Sequence, residues 1–315
     1  MTRSALVTGA AGFVGRRLVR ALAAAGWQVT ATAQQSEQAG ADASCATWLG
    51  GDVRDIAHLR AAVDASAPDA VFHLAGVSFV PAAAADPGYA AEVNAVGAAR
   101  LVGVIGERRR AGTLDPVVLV VGSGEQYGRH EDADLPLVET AAQRPHTVYA
   151  ATKVAQETLA LQAWRGNAVR VIATRSFNHS GPGQHFRFLL PGLVIRAKAL
   201  RGAPPGTPLV MGNQDTVRDF LHVDDVVAAY IALAEHGRPG EAYNVASGVG
   251  HSVGDLARRV LARVGVAAPV ESDPALVRPA EVPALVGSAV KLAADTGWAP
   301  RRSLDDLLDD LIAAA

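Results

Sequence analysis

Tyr149 and Lys153 are the residues whose types and spacing could most readily do chemistry. Four residues apart on a helix, two side chains lie on one face with their Cβ atoms roughly 5–6 Å apart. A neighbouring ammonium favours the phenolate, so the pattern predicts that the pKa of Tyr149 is lowered toward neutrality. Such a tyrosine could give or take a proton at neutral pH. Because the same spacing also occurs on solvated helix faces, the pair is informative only together with other motifs.

The first of these motifs is a glycine turn near the N-terminus. The apolar run Ser4–Thr8 precedes Gly9-Ala-Ala-Gly12-Phe-Val-Gly15, and a helical pattern follows. Strand, glycine turn and helix start are typical of a dinucleotide-binding fold, in which the positive helix end binds the pyrophosphate. A structural turn between strand and helix is the alternative. The residues predicted to bind the cofactor here are Gly9, Gly12, Phe13, Val14 and Gly15.

The second predicted strand, Trp27 to Ala33, ends without the acidic residue that usually binds a ribose 2′-hydroxyl. Thr32 to Gln35 contains neither a carboxylate nor a cation, which slightly favours NADP(H) and leaves NAD(H) possible. Asp52, followed by Val53, could accept a hydrogen bond from the adenine amino group. Capping of the helix that begins near Ile56 is an equally good interpretation of Asp52.

Two further apolar runs predict buried parallel strands. The run from residue 69 to 76 ends in Leu74, Ala75 and Gly76, and small residues there would let the backbone pass beside a flat cofactor. The run from 116 to 122 is followed by Ser123, at the carboxyl end where ligands gather in open parallel sheets. Ser123 could polarise a carbonyl group or simply cap a turn.

The alternation of apolar runs with helical patterns predicts an α/β fold. By residue 175 the pattern has passed through six strands, which is typical of a doubly wound parallel sheet of the Rossmann type. We predict a dinucleotide-binding domain over residues 1–175, completed by chain returns from the C-terminal half. Residues 176–315 are predicted to form mainly a smaller α/β substrate-binding lobe.

Composition excludes several classes of function. The net charge of −2 gives no basic surplus for nucleic acid or an acidic membrane surface. A single cysteine, Cys45, allows neither an intramolecular disulfide nor a cysteine metal cluster, so we predict no metal site. No apolar run is long enough to span a bilayer, and no signal peptide is evident, so the expected location is cytoplasmic.

Taken together, the motifs resemble a known family. Thr8-Gly-Ala-Ala-Gly-Phe-Val-Gly15, His73-Leu-Ala75, Ser123 and Tyr149-x-x-x-Lys153 are similar to the extended short-chain dehydrogenase/reductases of the NAD-dependent epimerase/dehydratase type, which act on nucleotide sugars. The similarity runs from about residue 4 to residue 311. Narrower motifs resemble the GDP-6-deoxy-4-keto-mannose reductases, which form GDP-rhamnose. These motifs begin at Arg175, Gly212, Val223, Tyr243 and Arg278.

The resemblance implies an NAD(P)H-dependent oxidoreductase that reduces the C4 ketone of a nucleotide-linked sugar. Ser123 and Tyr149 would donate hydrogen bonds to O4, Tyr149 would deliver the proton, and Lys153 would hold the nicotinamide ribose. Related 4,6-dehydratases use a glutamate at the place of Glu125 as a base, so a dehydratase or a 4-epimerase remains the alternative. A non-catalytic nucleotide-binding protein is a third hypothesis, which the presence of both Tyr149 and Lys153 disfavours.

The same resemblance implies a GDP-linked sugar as the substrate. Its diphosphate and nucleoside would be bound by Asn178, Arg218, Arg278 and Glu281. The chain departs from the family pattern at Thr152, where serine is common, and at Asp224, where an arginine is usual.

The resemblance also implies a homodimer. The helices predicted near Tyr89–Arg110 and Thr147–Trp164 flank the same edge of the sheet in relatives, which predicts a two-fold dimer through a four-helix contact. The small or apolar residues expected on this surface are Ala91, Val96, Ala99, Val154, Thr158 and Leu161.

Overall fold

A seven-stranded parallel sheet organises the protein, whose computed structural model describes residues 2–34, 44–277 and 282–315. The strands of the described residues are β1 (Ser4–Thr8), β2 (Gln28–Ala33), β3 (Thr47–Gly50), β4 (Ala70–His73), β5 (Val117–Ser123), β6 (Val171–Ser176), β7 (Asn178–Ser180), β8 (Leu209–Met211), β9 (Val217–His222), β10 (Ala242–Val245), β11 (Gly250–Ser252), β12 (Val270–Ser272) and β13 (Ala284–Leu285). The large sheet has the order β10-β6-β5-β4-β1-β2-β3.

Helices cover both faces of this sheet. They are α1 (Phe13–Ala24), α2 (Ile56–Ser66), α3 (Val80–Ala85), α4 (Pro87–Ala91), α5 (Gly97–Arg110), α6 (Val148–Asn167), α7 (Leu189–Ala199), α8 (Val223–His236), α9 (Val253–Val264), α10 (Val290–Thr296) and α11 (Leu304–Ala314). A π-helical turn, Glu92–Val96, joins α4 to α5, and a 3₁₀ turn, Gly124–Tyr127, follows β5. Shorter 3₁₀ turns are Asp132–Asp134, Leu200–Gly202 and Pro274–Leu276.

The three largest apolar cores of the described residues hold these layers together. On one face, α1, α8 and α10 pack against the sheet around Leu18, Tyr230 and Leu292. On the other face, α2, α5 and α6 pack around Leu59 and Leu101. The third core lies in the smaller lobe, where α7, α9 and α11 surround the short strands. The apolar central strands, buried on both faces, have the composition that parallel strands require.

The doubly wound α/β fold is confirmed, with one strand more than the six predicted. Strand β10 comes from the C-terminal half and pairs in parallel with β6, with Ala242 opposite Ala173. Helix α8, also from that half, packs on the same sheet. A run of only four residues, Ala242–Val245, gave too little signal for a sheet strand in the sequence.

The helix that carries Tyr149 was predicted from about Thr147 to Trp164, and it spans Val148 to Asn167. Thr147 is its N-cap, because its hydroxyl accepts a hydrogen bond from the Ala150 amide at 3.1 Å. Ala168, in the left-handed conformation at φ 52°, ends the helix. Within the described residues, none of the helices has the length and apolar character needed to cross a membrane.

Candidate active site

A cavity of roughly 1240 Å³ opens at the carboxyl end of the large sheet, between the sheet and the smaller lobe. Parallel strands direct their carboxyl ends to one edge, so residues far apart in the chain meet there. The predicted site residues that line this cavity are Gly9, Gly12, Phe13, Val14, Gly15, Val53, Leu74, Ala75, Gly76, Ser123, Glu125, Tyr149, Lys153, Asn178 and Arg218. The structure therefore brings most of the predicted residues together.

The glycine turn packs so closely against the neighbouring backbone that side chains do not fit at two of its positions. Gly9 has a φ of 69°, and a Cβ atom there would lie 2.6 Å from the Ala75 amide nitrogen. A Cβ atom on Gly15 would lie 2.3 Å from the carbonyl oxygen of Gly9. Helix α1 begins with Gly12 as its N-cap, without a side-chain hydrogen bond to its first turn. The first-turn residues line the cavity, so this positive helix end fits an anionic pyrophosphate.

Tyr149 and Lys153 lie on one face of α6, as predicted, and both are buried at the cavity wall. The prediction that the pKa of Tyr149 is lowered is wrong in this structure. Burial raises that pKa to about 12, and the hydrogen bond with the Ser123 hydroxyl lowers it only in part. Desolvation disfavours the charged phenolate and dominates here. At neutral pH the phenol is protonated, which is the state that can donate a proton.

The environment of Lys153 explains why this residue does not lower the pKa of Tyr149. Its ammonium donates hydrogen bonds of 2.8 Å to the Val121 carbonyl oxygen and 2.8 Å to Oε1 of Gln156. Burial lowers the pKa of Lys153 to about 7. The lysine is therefore only partly charged at neutral pH, because removing the ammonium from water is costly.

Ser123 caps a turn and also faces the cavity, so the structure is compatible with both interpretations of this residue. It ends β5 and caps the 3₁₀ turn, since its Oγ accepts a hydrogen bond from the Glu125 amide at 3.2 Å. It also lines the cavity and hydrogen-bonds to the Tyr149 phenol. Glu125, two residues further on, lies in the same wall.

Asn94 holds the cavity wall next to Tyr149, although sequence reasoning gave it no role. It lies in the π-helical turn, where Oδ1 accepts a hydrogen bond from the Val77 amide at 2.7 Å. Its Nδ2 donates to Oγ1 of Thr152 at 2.8 Å. Thr152, where serine is common in the family, thus retains the hydroxyl that accepts this bond. A polar residue at a buried helix position was the available signal.

Asp52 lies beside the cavity, and its predicted hydrogen bond to the adenine amino group stays a prediction. Its neighbours Gly51 and Val53 are among the described residues of the cavity wall, whereas Asp52 is not. Arg54 binds its carboxylate at 2.8 Å, and this hydrogen bond lowers the pKa of Asp52. The helix-capping interpretation of Asp52 is wrong, because Asp55 caps α2 by accepting a hydrogen bond from the Ala57 amide.

The cations predicted to bind a diphosphate are only partly within the described structure. Arg218 on β9 lines the cavity and donates hydrogen bonds to the carbonyl oxygens of Val217 and Val282. Asn178, which begins β7, lines the same wall. Arg278 and Glu281 lie outside the described residues.

Several cations and an aromatic ring at the cavity were not among the predicted site residues, although Arg16 could be considered from the sequence as a cation within reach of a 2′-phosphate. Arg16, Arg17 and Arg20 of α1 line the cavity, and so do Phe79 and Arg187. The Arg187 guanidinium lies 4.7 Å from the centre of the Phe79 ring, so this contact joins the two walls. Arginines that follow the glycine turn at helical spacing were the available signal for the first three.

Residues 2–34, 44–277 and 282–315 contain no group of three or more His, Cys, Asp or Glu side chains that could hold a metal ion. His73, at the end of β4, is buried and hydrogen-bonds through Nδ1 to Oγ1 of Thr8 at 2.8 Å. Burial lowers its pKa to about 3, so it is neutral.

Known proteins match nearly the whole chain. Residues 6–311 match the GDP-mannose 4,6 dehydratase family. The chain is 33% identical over 316 residues to the GDP-6-deoxy-D-mannose reductase of Pseudomonas aeruginosa, covering 98% of this chain and 97% of that protein.

Solved structures show the same architecture. RMD from Pseudomonas aeruginosa, complexed with NADPH, superposes with a TM-score of 0.81 at 30% identity, covering 99% of this chain and 98% of that one. A dTDP-glucose 4,6-dehydratase from Streptomyces venezuelae, with NAD bound, superposes with a TM-score of 0.84 at 27% identity, covering 98% and 96%. An NADPH-bound structure and an NAD-bound structure thus share this fold over nearly their full lengths.

Proposed function

The chain belongs to the GDP-mannose 4,6-dehydratase family of extended short-chain dehydrogenase/reductases, and from that premise we propose that it is an NAD(P)H-dependent reductase of nucleotide-linked 4-keto-6-deoxy sugars. The proposed reaction converts GDP-4-keto-6-deoxy-mannose to GDP-rhamnose. The observation that carries this proposal is the convergence of Ser123, Tyr149 and Lys153 with the glycine turn on one cavity.

The residues of the glycine turn would hold the cofactor pyrophosphate, and Lys153 would hold the nicotinamide ribose. When bound, the cofactor supplies the hydride for C4 of the sugar. Negative charge then develops on O4, and the hydroxyls of Ser123 and Tyr149 would donate hydrogen bonds to it. Tyr149 keeps its proton at neutral pH, since burial raises its pKa to about 12, and can deliver it to O4.

Substrate binding would use the opposite wall of the cavity. Arg218 offers a planar guanidinium suited to phosphate oxygens, and Asn178 offers an amide for a sugar or diphosphate oxygen. We include Arg278 and Glu281 in this proposal on sequence grounds alone.

A 4,6-dehydratase or 4-epimerase is the second candidate. Glu125 favours it, because this carboxylate lines the cavity two residues from Ser123 and could abstract a proton from the sugar. Such enzymes regenerate their cofactor in each turnover, whereas a reductase consumes it. Cofactor stoichiometry therefore separates the two candidates.

We also propose a homodimer through α5 and α6, which pack side by side. Val96, which ends the π-helical turn before α5, and Leu159, on α6, are exposed by 39% and 40%, which is consistent with an apolar contact. Leu161, expected on this surface, is instead buried in the core. The cytoplasmic location expected from the sequence stays a prediction.

The experiment that tests the function measures NADPH and NADH oxidation with a panel of GDP-, dTDP- and UDP-linked 4-keto-6-deoxy sugars. We expect stoichiometric oxidation with the GDP-linked substrate and a product with the rhamno configuration by NMR. Conversion of GDP-mannose to a 4-keto sugar without net cofactor consumption would instead identify a dehydratase.

A further inference from the structure

A buried carboxylate, Glu157, lies one helical turn beyond Lys153 on α6. Its relative accessible surface is 5%, and its two oxygens accept four hydrogen bonds. Gln143 and Gln126 donate two of these bonds, at 2.7 and 2.8 Å. Arg175 donates the other two, at 2.6 and 2.9 Å. The face of α6 that carries Tyr149 therefore continues into a fully paired carboxylate.

Arg175 comes from β6 and is equally well paired. It binds Glu157 through two nitrogens, and its Nη1 donates to the Tyr127 hydroxyl at 2.9 Å and to the Glu139 carbonyl oxygen at 2.8 Å. Although burial would raise the pKa of Glu157, the hydrogen bonds and charge of Arg175 outweigh it and hold that pKa below its ordinary value. The pair is therefore ionised at neutral pH.

One side chain connects this pair to Ser123. Gln126 donates through Nε2 to Glu157 at 2.8 Å and accepts through Oε1 from the Ser123 amide at 2.7 Å. Gly122 makes room for it, because a Cβ atom there would lie 2.4 Å from Gln126 Oε1. The chain of contacts runs from α6, through one amide, to the backbone of the residue that faces O4 in the proposed reaction.

We propose that Glu157, Arg175 and Gln126 are positioning residues that fix the distance and orientation of Ser123 relative to Tyr149. This inference rests on the proposed function. Neither Glu157 nor Arg175 is among the described residues that line the cavity, so they act through Ser123 rather than on the substrate.

Stability alone is a weak reason for such a network. Replacing a buried ion pair by apolar residues of similar volume is often neutral or stabilising, whereas removing one partner is strongly destabilising. Orientation is a stronger reason, because a misplacement of about 1 Å in a reacting group can reduce the rate on the order of a hundredfold. Replacing both Glu157 and Arg175 by apolar residues can therefore separate a role in stability from a role in orienting Ser123.

The test compares Glu157→Met/Arg175→Met and Gln126→Met with the parent. We expect both variants to retain the NADPH dissociation constant and the sugar KM within threefold, while kcat falls by roughly ten- to a hundredfold. Asp64→Asn/Arg108→Gln removes an exposed ion pair on α2 and α5 and is the matched control, with parental kcat. If either variant folds and keeps kcat within twofold of the parent, the inference is overturned.

Hydrogen exchange provides a readout independent of turnover. Gln126→Met removes the acceptor of the Ser123 amide, so exchange in peptides that contain Ser123 should accelerate by about tenfold or more, while helix α6 stays protected. Unchanged exchange would refute the network even if the double variant does not fold. A parent that oxidises NADPH with none of the sugars would refute the proposed function. Hydrogen exchange at Ser123 would still show whether Gln126 holds this residue in place.

Discussion

Replacing Lys153 by methionine should alter how stability depends on pH, in addition to abolishing activity. Methionine approximates the length of the lysine side chain but lacks the ammonium group. Burial lowers the pKa of Lys153 from 10.5 to about 7 in the folded protein. Between these two values the unfolded chain binds a proton that the folded chain does not, so the stability of the parent rises with pH. Below about pH 7 the full cost of burying the ammonium is present.

The magnitude follows from this difference in pKa. One pKa unit corresponds to about 1.4 kcal/mol, and the cost of burying Lys153 falls by about 2 kcal/mol between about pH 7 and about pH 9. The variant also loses the hydrogen bonds to Val121 and Gln156, but that cost does not depend on pH. The free energy of unfolding of Lys153→Met minus that of the parent should therefore decrease by about 2 kcal/mol over this range.

Urea unfolding of both proteins at half-unit pH steps measures this difference. Two other buried groups titrate outside the range, because burial holds the pKa of His73 at about 3 and that of Tyr149 at about 12. Lys291→Met, at a partly exposed ion pair with Glu241, controls for the loss of a lysine side chain as such. Parallel stability curves for parent and Lys153→Met would refute the argument that burial sets the charge of this lysine.

Three further predictions concern activity, cofactor choice and assembly. Tyr149→Phe keeps the packing but removes the acid, so kcat should fall by about 10²–10⁴ with NADPH affinity nearly unchanged; turnover within threefold of the parent contradicts this role. The neutral site at Thr32 and Ala33 should favour NADPH over NADH by less than about tenfold in kcat/KM, and Ala33→Asp should reverse the preference. A parental preference beyond about a hundredfold would mean that a cation such as Arg16 reaches the 2′-phosphate. Leu159→Glu should convert the proposed dimer to a monomer by light scattering at micromolar concentration, and a parent already monomeric there contradicts the dimer.

Local patterns in the sequence determined most of the fold. The strand, glycine turn and helix from Ser4 to Ala24 were predictable because steric limits require glycine in the turn. Gly9 has a positive φ, and at Gly15 the neighbouring backbone leaves no room for a Cβ atom. The spacing of Tyr149 and Lys153 placed both on one face of α6 for an equally local reason. A chain return from the C-terminal half was predicted, but β10 could not be assigned to it, because only its pairing with β6, some seventy residues earlier in the chain, makes it part of the sheet.

The charge states at the site were decided by the tertiary structure. The spacing of Lys153 and Tyr149 predicted a lowered pKa for Tyr149. Burial of the phenol by the surrounding protein raises that pKa instead. Lys153 is directed to Val121 and Gln156 by strand β5 and helix α6 together. Spacing along one helix fixes which side chains are neighbours, whereas desolvation depends on every element that excludes water, and those elements come from distant parts of the chain.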